Sequence, residues 1–546
     1  MLHHSTITPR SPLQHNQASL SSNLSHSLSF PSVFRSSSTF LPTVRRKARS
    51  NNKEEPVVRC CVSQVGKSTI GWSKLFRRIS FMQDTEVGAE RVLNHYEKEG
   101  KRVSKWELVR IIKELRKFGR YKRALEVYEW MNNRSHMYSI SSRDAAIQLG
   151  LIAKVHGVLD AEEYFLNLPD IFKGEQTYGA LLNAYVQAKL REKAESLIEK
   201  MKAEGHVGHS QPYTSMMTLY VKLQEYDKVD LVVSEMRQKN ICLDTLSYNI
   251  WLSSCGAQES VEKMEQVFET MMESGIRPDW NTFSTMAAIY IKLGHFEKAE
   301  KCIRKGESRI QGWDKIAYHY VISLYSSIGK RVEVYRIWKV YKSLFARIPN
   351  SGHYTVISSL IRLGDIEGAE QLYKEWLLVK STSDPGIVNV LMSCYVRNGL
   401  LEKAEALFDQ MSELGVKPNH KTWETLAERH IRENRVFDAL SCLKEAILVD
   451  RSKKWKPRAQ TVFSVLKICQ QNDDTESKDV LMGLLRQAGC FEDQAYMSYL
   501  SSTSDEEQGM EKGRTHDDVD EDKNGHVSRK LMNELLSNGL IEFSPA

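Results

Sequence analysis

Short motifs that could bind zinc or phosphate occur at three places in the chain, and none of them is complete. His95-Tyr96-Glu97 and His295-Phe296-Glu297 match the His-x-Glu element of zinc deaminases, but the sequence contains no Cys-x-x-Cys element to supply further ligands. Gly66-Lys67-Ser68 resembles the end of a phosphate-binding loop, yet Cys61 replaces the required upstream glycine and no clear strand precedes it. The sequence therefore predicts no catalytic site, no metal and no cofactor, and we expect that the protein is not an enzyme.

The composition is that of a globular protein with a mildly basic surface. The chain has 546 residues, of which 41% are hydrophobic, so it can bury a large core. A net charge of +7 is compatible with a polyanionic partner. The nine cysteines lie singly except for Cys60 and Cys61, which favours a reduced compartment. No run of about 18 apolar residues is present, which argues against a membrane span.

The first fifty residues differ in kind from the rest. They contain no Asp or Glu, are rich in Ser, and gather basic residues between Arg45 and Arg49. This pattern is typical of an organelle transit peptide, which we place at residues 1–60, although an ordinary disordered tail has a similar bias. Val58-Arg59-Cys60 resembles a processing pattern of plastid transit peptides. The sequence thus predicts import into the chloroplast, with the mitochondrion as the alternative.

A period of 35 residues runs through the middle of the chain. Steps of 35 from Tyr178 meet an aromatic residue at six of eight positions, and steps of 35 from Ala194 meet only apolar residues, five of them alanine. The first column is Tyr178, Tyr213, Tyr248, Phe283, Tyr318, His353, Val388 and Trp423. The second column is Ala194, Val229, Met264, Ala299, Val334, Ala369, Ala404 and Ala439. Two columns in phase over eight copies establish an internal repeat.

Each copy reads as two amphipathic helices, because its apolar residues recur at helical spacing. Glycine follows the first helix in four successive copies, at Gly294, Gly329, Gly364 and Gly399, where a left-handed residue would end the helix. A helix pair this short cannot bury its apolar face alone, so consecutive pairs must stack. The prediction is an all-α fold, a right-handed α-solenoid superhelix of about eleven helix-turn-helix pairs with a repeat of 35 residues.

The repeat resembles that of pentatricopeptide repeat proteins. The segments Thr245-Leu246-Ser247-Tyr248-Asn249 and Gly275-Ile276-Arg277-Pro278-Asp279 are similar to the signature of that family, as are residues 401–408 and 415–419. The likeness covers about 390 residues and is closest to the plant organellar P-class, which consists of repeats alone.

This resemblance and the composition together divide the chain into six segments. The predicted segments are a transit peptide at 1–60, a helical or linker region at 61–103, irregular repeats at 104–174, seven contiguous repeats at 175–419, closing repeats at 420–493 and an acidic disordered tail at 494–546.

The resemblance also implies which residues read RNA. Family members bind one base per repeat through a polar residue of the first helix and the last residue of the repeat. In this chain the family's code suggests guanine for Thr214 with Asp244 and uracil for Asn249 with Asp279. It suggests a pyrimidine for Asn389 with Asn419 and, more weakly, a purine for Ser284 with Asp314. The predicted base-reading residues are Thr214, Asp244, Asn249, Asp279, Ser284, Asp314, Asn389 and Asn419.

Two alternatives accompany this assignment. Polar residues on a helix are often merely solvated, and this interpretation is preferred for Gly179, His319, Tyr354 and Glu424. A basic column eight residues further on could bind phosphates, although surface cations are common. Its members are Lys222, Lys292, Arg362, Arg397 and Arg432.

The chain departs from the family where an aliphatic side chain usually wedges between bases. That position lies two residues before the aromatic column, and only Leu246 and Ile316 fit among eight copies. We therefore expect an organellar single-stranded RNA-binding protein acting in transcript stability, splicing or translation, with weak or partner-assisted binding. The alternative is a repeat scaffold that docks on the organelle ribosome or on other RNA-processing proteins, which exposed apolar residues along the groove would favour. Neither function needs a membrane.

Overall fold

The computed structural model describes residues 65–81, 88–379, 385–449, 455–490 and 496. These residues form 24 α-helices and one 3-10 turn, with no strand among them. The all-α repeat fold predicted from the sequence is therefore confirmed. The predicted transit peptide and nearly all of the acidic tail lie outside the described residues.

Contacts divide the chain into two compact units, with the boundary between Leu324 and Tyr325. In the N-terminal unit the helices are α1 (Val65–Ser80), α2 (Ala89–Lys98), α3 (Lys105–Lys117), α4 (Tyr121–Asn132), α5 (Ser142–Val155), α6 (Val158–Leu166), α7 (Glu175–Gln187), α8 (Arg191–Ala203), α9 (Ser210–Lys222), α10 (Tyr226–Gln238), α11 (Thr245–Ala257), α12 (Val261–Glu273), α13 (Trp280–Lys292) and α14 (Phe296–Glu307), with a 3-10 turn at Asp170–Phe172. The boundary falls inside α15 (Lys315–Ser327).

In the C-terminal unit the helices are α16 (Arg331–Leu344), α17 (Asn350–Arg362), α18 (Ile366–Val379), α19 (Pro385–Arg397), α20 (Leu401–Glu413), α21 (His420–Arg432), α22 (Val436–Val449), α23 (Ala459–Gln471) and α24 (Thr475–Gln487). From α3 onward, odd-numbered helices are the first helices of the pairs and even-numbered helices are the second. None of the helices in the described ranges is long and apolar enough to cross a membrane.

First helices pack on first helices. In the N-terminal unit α5, α7, α9, α11 and α13 follow one another in contact, and in the C-terminal unit α17, α19, α21 and α23 do the same. Within each unit, first helices also pack on the second helix of their own pair, as α13 does on α14 and α21 on α22. Residues near the start of one first helix therefore lie beside the equivalent residues of the next.

The residue before a first helix fixes where that helix begins. Asp244 accepts a hydrogen bond from the backbone amide of Ser247 at 2.8 Å and thereby caps α11. Asp279 caps α13 and Asn419 caps α21 in the same way, each within a reciprocal capping box. Such caps satisfy amide groups that have no partner inside the helix.

A left-handed residue ends the first helices, as the glycine column predicts. Gly294, Gly329, Gly364 and Gly399 have φ between 73° and 78°. In the other copies the residue at the same position is not glycine but still has a positive φ, from 57° to 62°. These residues are Lys189, Gln224, Glu259 and Asn434. Residues with a side chain adopt this backbone conformation at a cost in free energy.

Both repeat columns lie in the core. The aromatic column is at most 7% exposed at its first seven positions. All eight residues of the second column, from Ala194 to Ala439, have no exposed surface. Small side chains at this position let the two helices of a pair approach closely, and their complete burial shows that the helices do so.

Ion pairs join neighbouring second helices. Lys298 of α14 lies 2.8 Å from Glu265 of α12, and the hydroxyl of Tyr290 donates to the same carboxylate at 2.6 Å. Hydrogen bonds from Lys298 and Tyr290 lower the pKa of Glu265. The arrangement recurs at Glu195 with Lys228 and Tyr220, and at Glu370 with Lys403 and Tyr395.

We predict opposite effects of one substitution at two glycines of the N-terminal unit. Gly294→Ala lowers the free energy of unfolding by about 1 kcal/mol, because alanine must adopt positive φ there. Gly179→Ala, inside α7, raises it by up to about 1 kcal/mol, because alanine favours the helix and its Cβ meets nothing within 4 Å. Urea denaturation followed by circular dichroism measures both, and equal shifts of the same sign would contradict the argument.

Candidate nucleic-acid interface

The predicted base-reading residues of the first helices all occupy the same place. Thr214, Asn249, Ser284 and Asn389 are each the fifth residue of their helix, in α9, α11, α13 and α19. Their predicted partners precede the next first helix along the chain. Because α9 contacts α11, α11 contacts α13 and α19 contacts α21, the two members of three of these pairs come from neighbouring copies at one interface.

Asn389 and Asn419 touch directly. The amide nitrogen of Asn389 donates to Oδ1 of Asn419 at 3.0 Å. Thr422, in the first turn of α21, donates from Oγ1 to the side-chain Oδ1 of Asn389 at 2.9 Å. The structure thus brings together the two residues that the sequence pairs for one base.

Thr214 and Asp244 are joined through a third residue. The hydroxyl groups of Thr214 and Ser247 lie 2.9 Å apart, and Ser247 donates from its hydroxyl to Oδ1 of Asp244 at 2.8 Å. Ser247 holds the same place in α11 as Thr422 does in α21. The sequence analysis did not identify these hydroxyls, although both lie three residues after the closing residue of a copy.

Asn249 and Asp279 differ, because no hydrogen bond joins them. The side chain of Asp279 is occupied by the backbone amide and hydroxyl of Thr282, at 2.8 and 2.9 Å. Oδ1 of Asn249 is buried and has no hydrogen-bond partner within the described part of the chain. A buried acceptor without a partner costs about 1–3 kcal/mol, so this oxygen would gain from a donor on a ligand.

Ser284 and Asp314 form the weakest candidate pair. Ser284 is 2% exposed, and Oδ1 of Asp314 accepts from the backbone amides of Ile316 and Ala317 at 3.1 and 3.2 Å. Burial raises the pKa of Asp314 despite those bonds. Copy α15 has Ala317 where α11 has Ser247, so no hydroxyl is present at that place to relay to Ser284.

The four first-helix residues are buried, so the interpretation that they are merely solvated is wrong for them. Thr214, Asn249, Ser284 and Asn389 are 2–5% exposed. Direct contact between their polar atoms and a base therefore requires neighbouring side chains, or the spacing of the first helices, to change. His319 and Glu424, for which the solvated interpretation was preferred, are also buried, at 6% and 3%.

The closing residues have a second role, which is to cap helices. Asp244, Asp279 and Asn419 are N-caps, and Asp314 accepts backbone amides of the first turn of α15. Asp and Asn are preferred at this place whether or not RNA binds. Their residue type alone is therefore weaker support for base reading than the contacts they make with the fifth residue of the preceding copy.

All five residues of the basic column end a first helix. Lys222, Lys292, Arg362, Arg397 and Arg432 are the last residues of α9, α13, α17, α19 and α21. A cation is favoured at a helix C-terminus for local reasons, because it balances the helix dipole. Ala257 and Ser327 interrupt the column, and hydrogen bonds join Lys222 to Gln187 at 2.8 Å and Arg362 to Ser327 at 3.4 Å, each one period away.

The cations of this column differ in charge and exposure. Arg362, Arg397 and Arg432 are exposed, whereas Lys222 and Lys292 are half-buried. Burial and the charge of Lys189 lower the pKa of Lys222 to about 8. Lys292 pairs with Glu259 at 3.0 Å. The three arginines of the C-terminal unit are thus the more available partners for phosphate.

Two cations pair with Glu424, the fifth residue of α21. Glu424 lies 3.1 Å from both Lys421 and Arg458, and Arg458 also pairs with Glu428. Burial opposes ionisation of Glu424, but these two cations outweigh it and lower its pKa. The fifth residue of α21 is therefore an ionised carboxylate held between two cations.

The described residues contain no group of three or more His, Cys, Asp or Glu side chains placed to hold a metal ion. Leu246 and Ile316, the two aliphatic residues at the predicted wedge position, are half-buried and so remain partly open to solvent.

Models of the pentatricopeptide repeat match several parts of the chain. A model described as a PPR repeat matches residues 176–206, 212–241, 281–309 and 354–378. A pentatricopeptide repeat domain model matches residues 231–292, and a PPR repeat family model matches residues 384–432.

Relatives from Arabidopsis thaliana extend over most of the chain. Pentatricopeptide repeat-containing protein At1g02150 is 50% identical over 82% of this chain and 88% of its own length. Pentatricopeptide repeat-containing protein At4g21705, mitochondrial, is 34% identical over 72% and 80%. Large ribosomal subunit protein mL101 (rPPR4) is 37% identical over 76% and 84%. Among solved structures, PPR10 in complex with an 18-nt psaJ RNA element covers 87% of this chain and 74% of its own, at 15% identity and a TM-score of 0.41.

We predict that the two buried asparagines respond oppositely to loss of their amides. Asn249→Leu raises the free energy of unfolding by about 1 kcal/mol or more, because it removes an acceptor that is buried without a partner. Asn389→Leu lowers it by about 1–3 kcal/mol, because Asn419 and Thr422 lose their partner. Urea denaturation of the two variants measures the difference, and destabilisation of equal size in both would contradict it.

Proposed function

The chain belongs to the pentatricopeptide repeat family, and from that premise we propose that it binds single-stranded RNA along its first helices without altering the RNA chemically. It would act by occupying a transcript, and so in transcript stability, splicing or translation. Bound repeats can block an exonuclease, keep a segment from pairing or expose a start site, and none of these effects needs a catalytic group.

One observation supports this proposal most. The fifth residue of a first helix contacts the capping residue of the next copy, directly for Asn389 and Asn419 and through Ser247 for Thr214 and Asp244. Amides, carboxylates and hydroxyls arranged in this way match the donors and acceptors on the Watson-Crick edge of an unpaired base. Two polar side chains from adjacent copies can therefore share one base.

The order of bases follows from the order of copies. Thr214, Asn249 and Ser284 lie in consecutive copies, and Asn389 lies four copies after Asn249. With one base per copy, the family's code gives G, then U, then a weakly preferred purine, and a pyrimidine four bases after the U.

The basic column supplies the second half of the interaction. Its cations lie at the ends of first helices. Arg362, Arg397 and Arg432 follow one another at the 35-residue period in the C-terminal unit, which suits the regular spacing of phosphates, and Lys222 and Lys292 lie two periods apart in the N-terminal unit. Contacts of this kind release counterions, so the affinity must fall as the salt concentration rises.

A second function is favoured by one relative. The ribosomal protein mL101 (rPPR4) is 37% identical over 76% of this chain, so the same repeats can form part of a ribosomal subunit in a related protein. Only Leu246 and Ile316 provide aliphatic wedges here, which is consistent with weak binding to isolated RNA. In this alternative the chain is a scaffold that docks on the organelle ribosome or on other RNA-processing proteins.

We propose an organelle as the location. Three of the relatives described by name as mitochondrial are 33–34% identical to this chain, which favours the mitochondrion over the chloroplast predicted from Val58-Arg59-Cys60. A fluorescent protein fused behind residues 1–60 should therefore enter mitochondria, and import into plastids alone would restore the chloroplast prediction.

We predict that a random pool of single-stranded RNA, bound by the purified full chain at several salt concentrations and then sequenced, is enriched in the base order given above. The informative variant is Asn249→Thr, which keeps the cap at Asp279 and changes that pair to the one assigned to guanine. It should replace U by G at one position and leave the neighbouring positions unchanged.

Each other outcome of this selection is decisive. Retention without an enriched motif would mean that the fifth residues do not read bases, although RNA is bound. Absence of retention at low salt would contradict RNA binding and favour the scaffold. Thermal denaturation of Asn249→Thr beside the parent chain serves as the control for folding.

A further inference from the structure

The helix α3 belongs to the same repeat columns as the later first helices. It begins at Lys105 and α7 begins at Glu175, so the two starts are 70 residues, or two periods, apart. Its last residue is Lys117, which therefore falls on the basic column, and Gly119 has the left-handed φ of 69°. The intervening α5 begins at Ser142, two residues late, which hides the register of α3 in the sequence.

The second residue of α3 is an exposed tryptophan. Trp106 is 58% exposed, whereas the second residue of α7 is Gln176 and that of α9 is Gln211. An exposed ring at the start of a first helix is available to stack on a base, because every base has an aromatic face. Ser104 and Glu107 form a reciprocal capping box that fixes the start of the helix from which Trp106 projects.

A guanidinium lies against this indole. The Arg110 guanidinium carbon is 5.2 Å from the ring centre of Trp106 and 4.1 Å from that of Trp72 in α1. These are cation-π distances, and the contact with Trp72 holds Arg110 in place. Arg110 thus presents a fixed positive charge beside the exposed ring.

Further cations share this face of α3. Trp106, Arg110, Lys113 and Lys117 are spaced by four, three and four residues, which places them on one stripe of the helix. Lys113 is exposed and Lys117 is half-buried. The stripe therefore carries three positive charges in line with an aromatic ring.

We propose that Trp106 and Arg110 form a stacking site for one unpaired base of single-stranded RNA, with Lys113 and Lys117 beside the adjoining phosphates. Aromatic rings combined with cations along a groove are the usual means of holding single strands without regard to sequence. The fifth residue of α3 is Val109, which has no hydrogen-bonding side chain, so this copy would grip RNA without reading it. The inference rests on the proposed RNA-binding function and adds a site to it.

The experiment compares three variants of the full chain for affinity to a random single-stranded RNA pool at low salt. Trp106→Ala should weaken binding between about 5-fold and 150-fold, since stacking on an aromatic residue is worth that much per base. Trp106→Phe should stay within about threefold of the parent chain, because it keeps a ring. Trp313→Ala is the matched control, as Trp313 is 84% exposed but lies between α14 and α15 and not on a first helix.

Ultraviolet crosslinking gives a readout that a structural role of Trp106 would not produce. A peptide containing Trp106 should be recovered attached to a nucleotide. If the parent chain binds RNA and Trp106→Ala binds it equally well, with no such crosslink, the stacking site is wrong while the proposed function stands. If the parent chain binds no RNA, both fail. Circular dichroism melting of each variant separates loss of folding from loss of binding.

Discussion

Complete burial of one apolar residue in each pair, alanine in five of eight copies, is the constraint on which the repeat structure depends. The eight positions from Ala194 to Ala439 have no exposed surface, because the first helix of a pair lies directly against the second. A pair held together at one such point still has an apolar face that it cannot cover, and only the next pair can cover it. The regular spacing follows, because each pair must offer the next pair the same surface on which it packs against the previous one.

The same spacing forces structural and candidate binding groups to coincide. The residue that closes a copy is also the residue that begins the next first helix, so Asp244 and Asn419 must cap whatever else they do. Their contacts with Thr214 and Asn389 then place polar atoms of two copies at one interface. At these two interfaces the cap and the polar contact share one residue, so the fifth residue can change without removing the cap.

How much could be predicted from the sequence depended on whether a property repeats along the chain. The period, the helix pairs and the left-handed glycines are visible because several copies carry the same residue type, as Gly294 and Gly329 do. Burial of Asn249 could not be predicted, because it depends on how closely α9, α11 and α13 approach, and no residue type reports that distance. The register of α3 was missed because α5 starts two residues late, so stepping by 35 from Lys105 does not reach Ser142. The hydroxyl of Ser247 was overlooked because its role exists only across an interface.

Local stability differs between first helices that end at a glycine turn and first helices that end at a left-handed turn without glycine. Gln224 follows α9 and Glu259 follows α11, each with φ near 60°, whereas glycine follows α13, α17 and α19. Backbone strain lowers the free energy of local opening, so amide hydrogens at the ends of α9 and α11 exchange with solvent more readily than those at the glycine turns. Those two helices carry Thr214 and Asn249, which are buried in the closed state. Of the four buried first-helix candidates, Thr214 and Asn249 therefore lie on helices whose end turns resist local opening least, whereas Ser284 and Asn389 lie on helices that end at glycine turns.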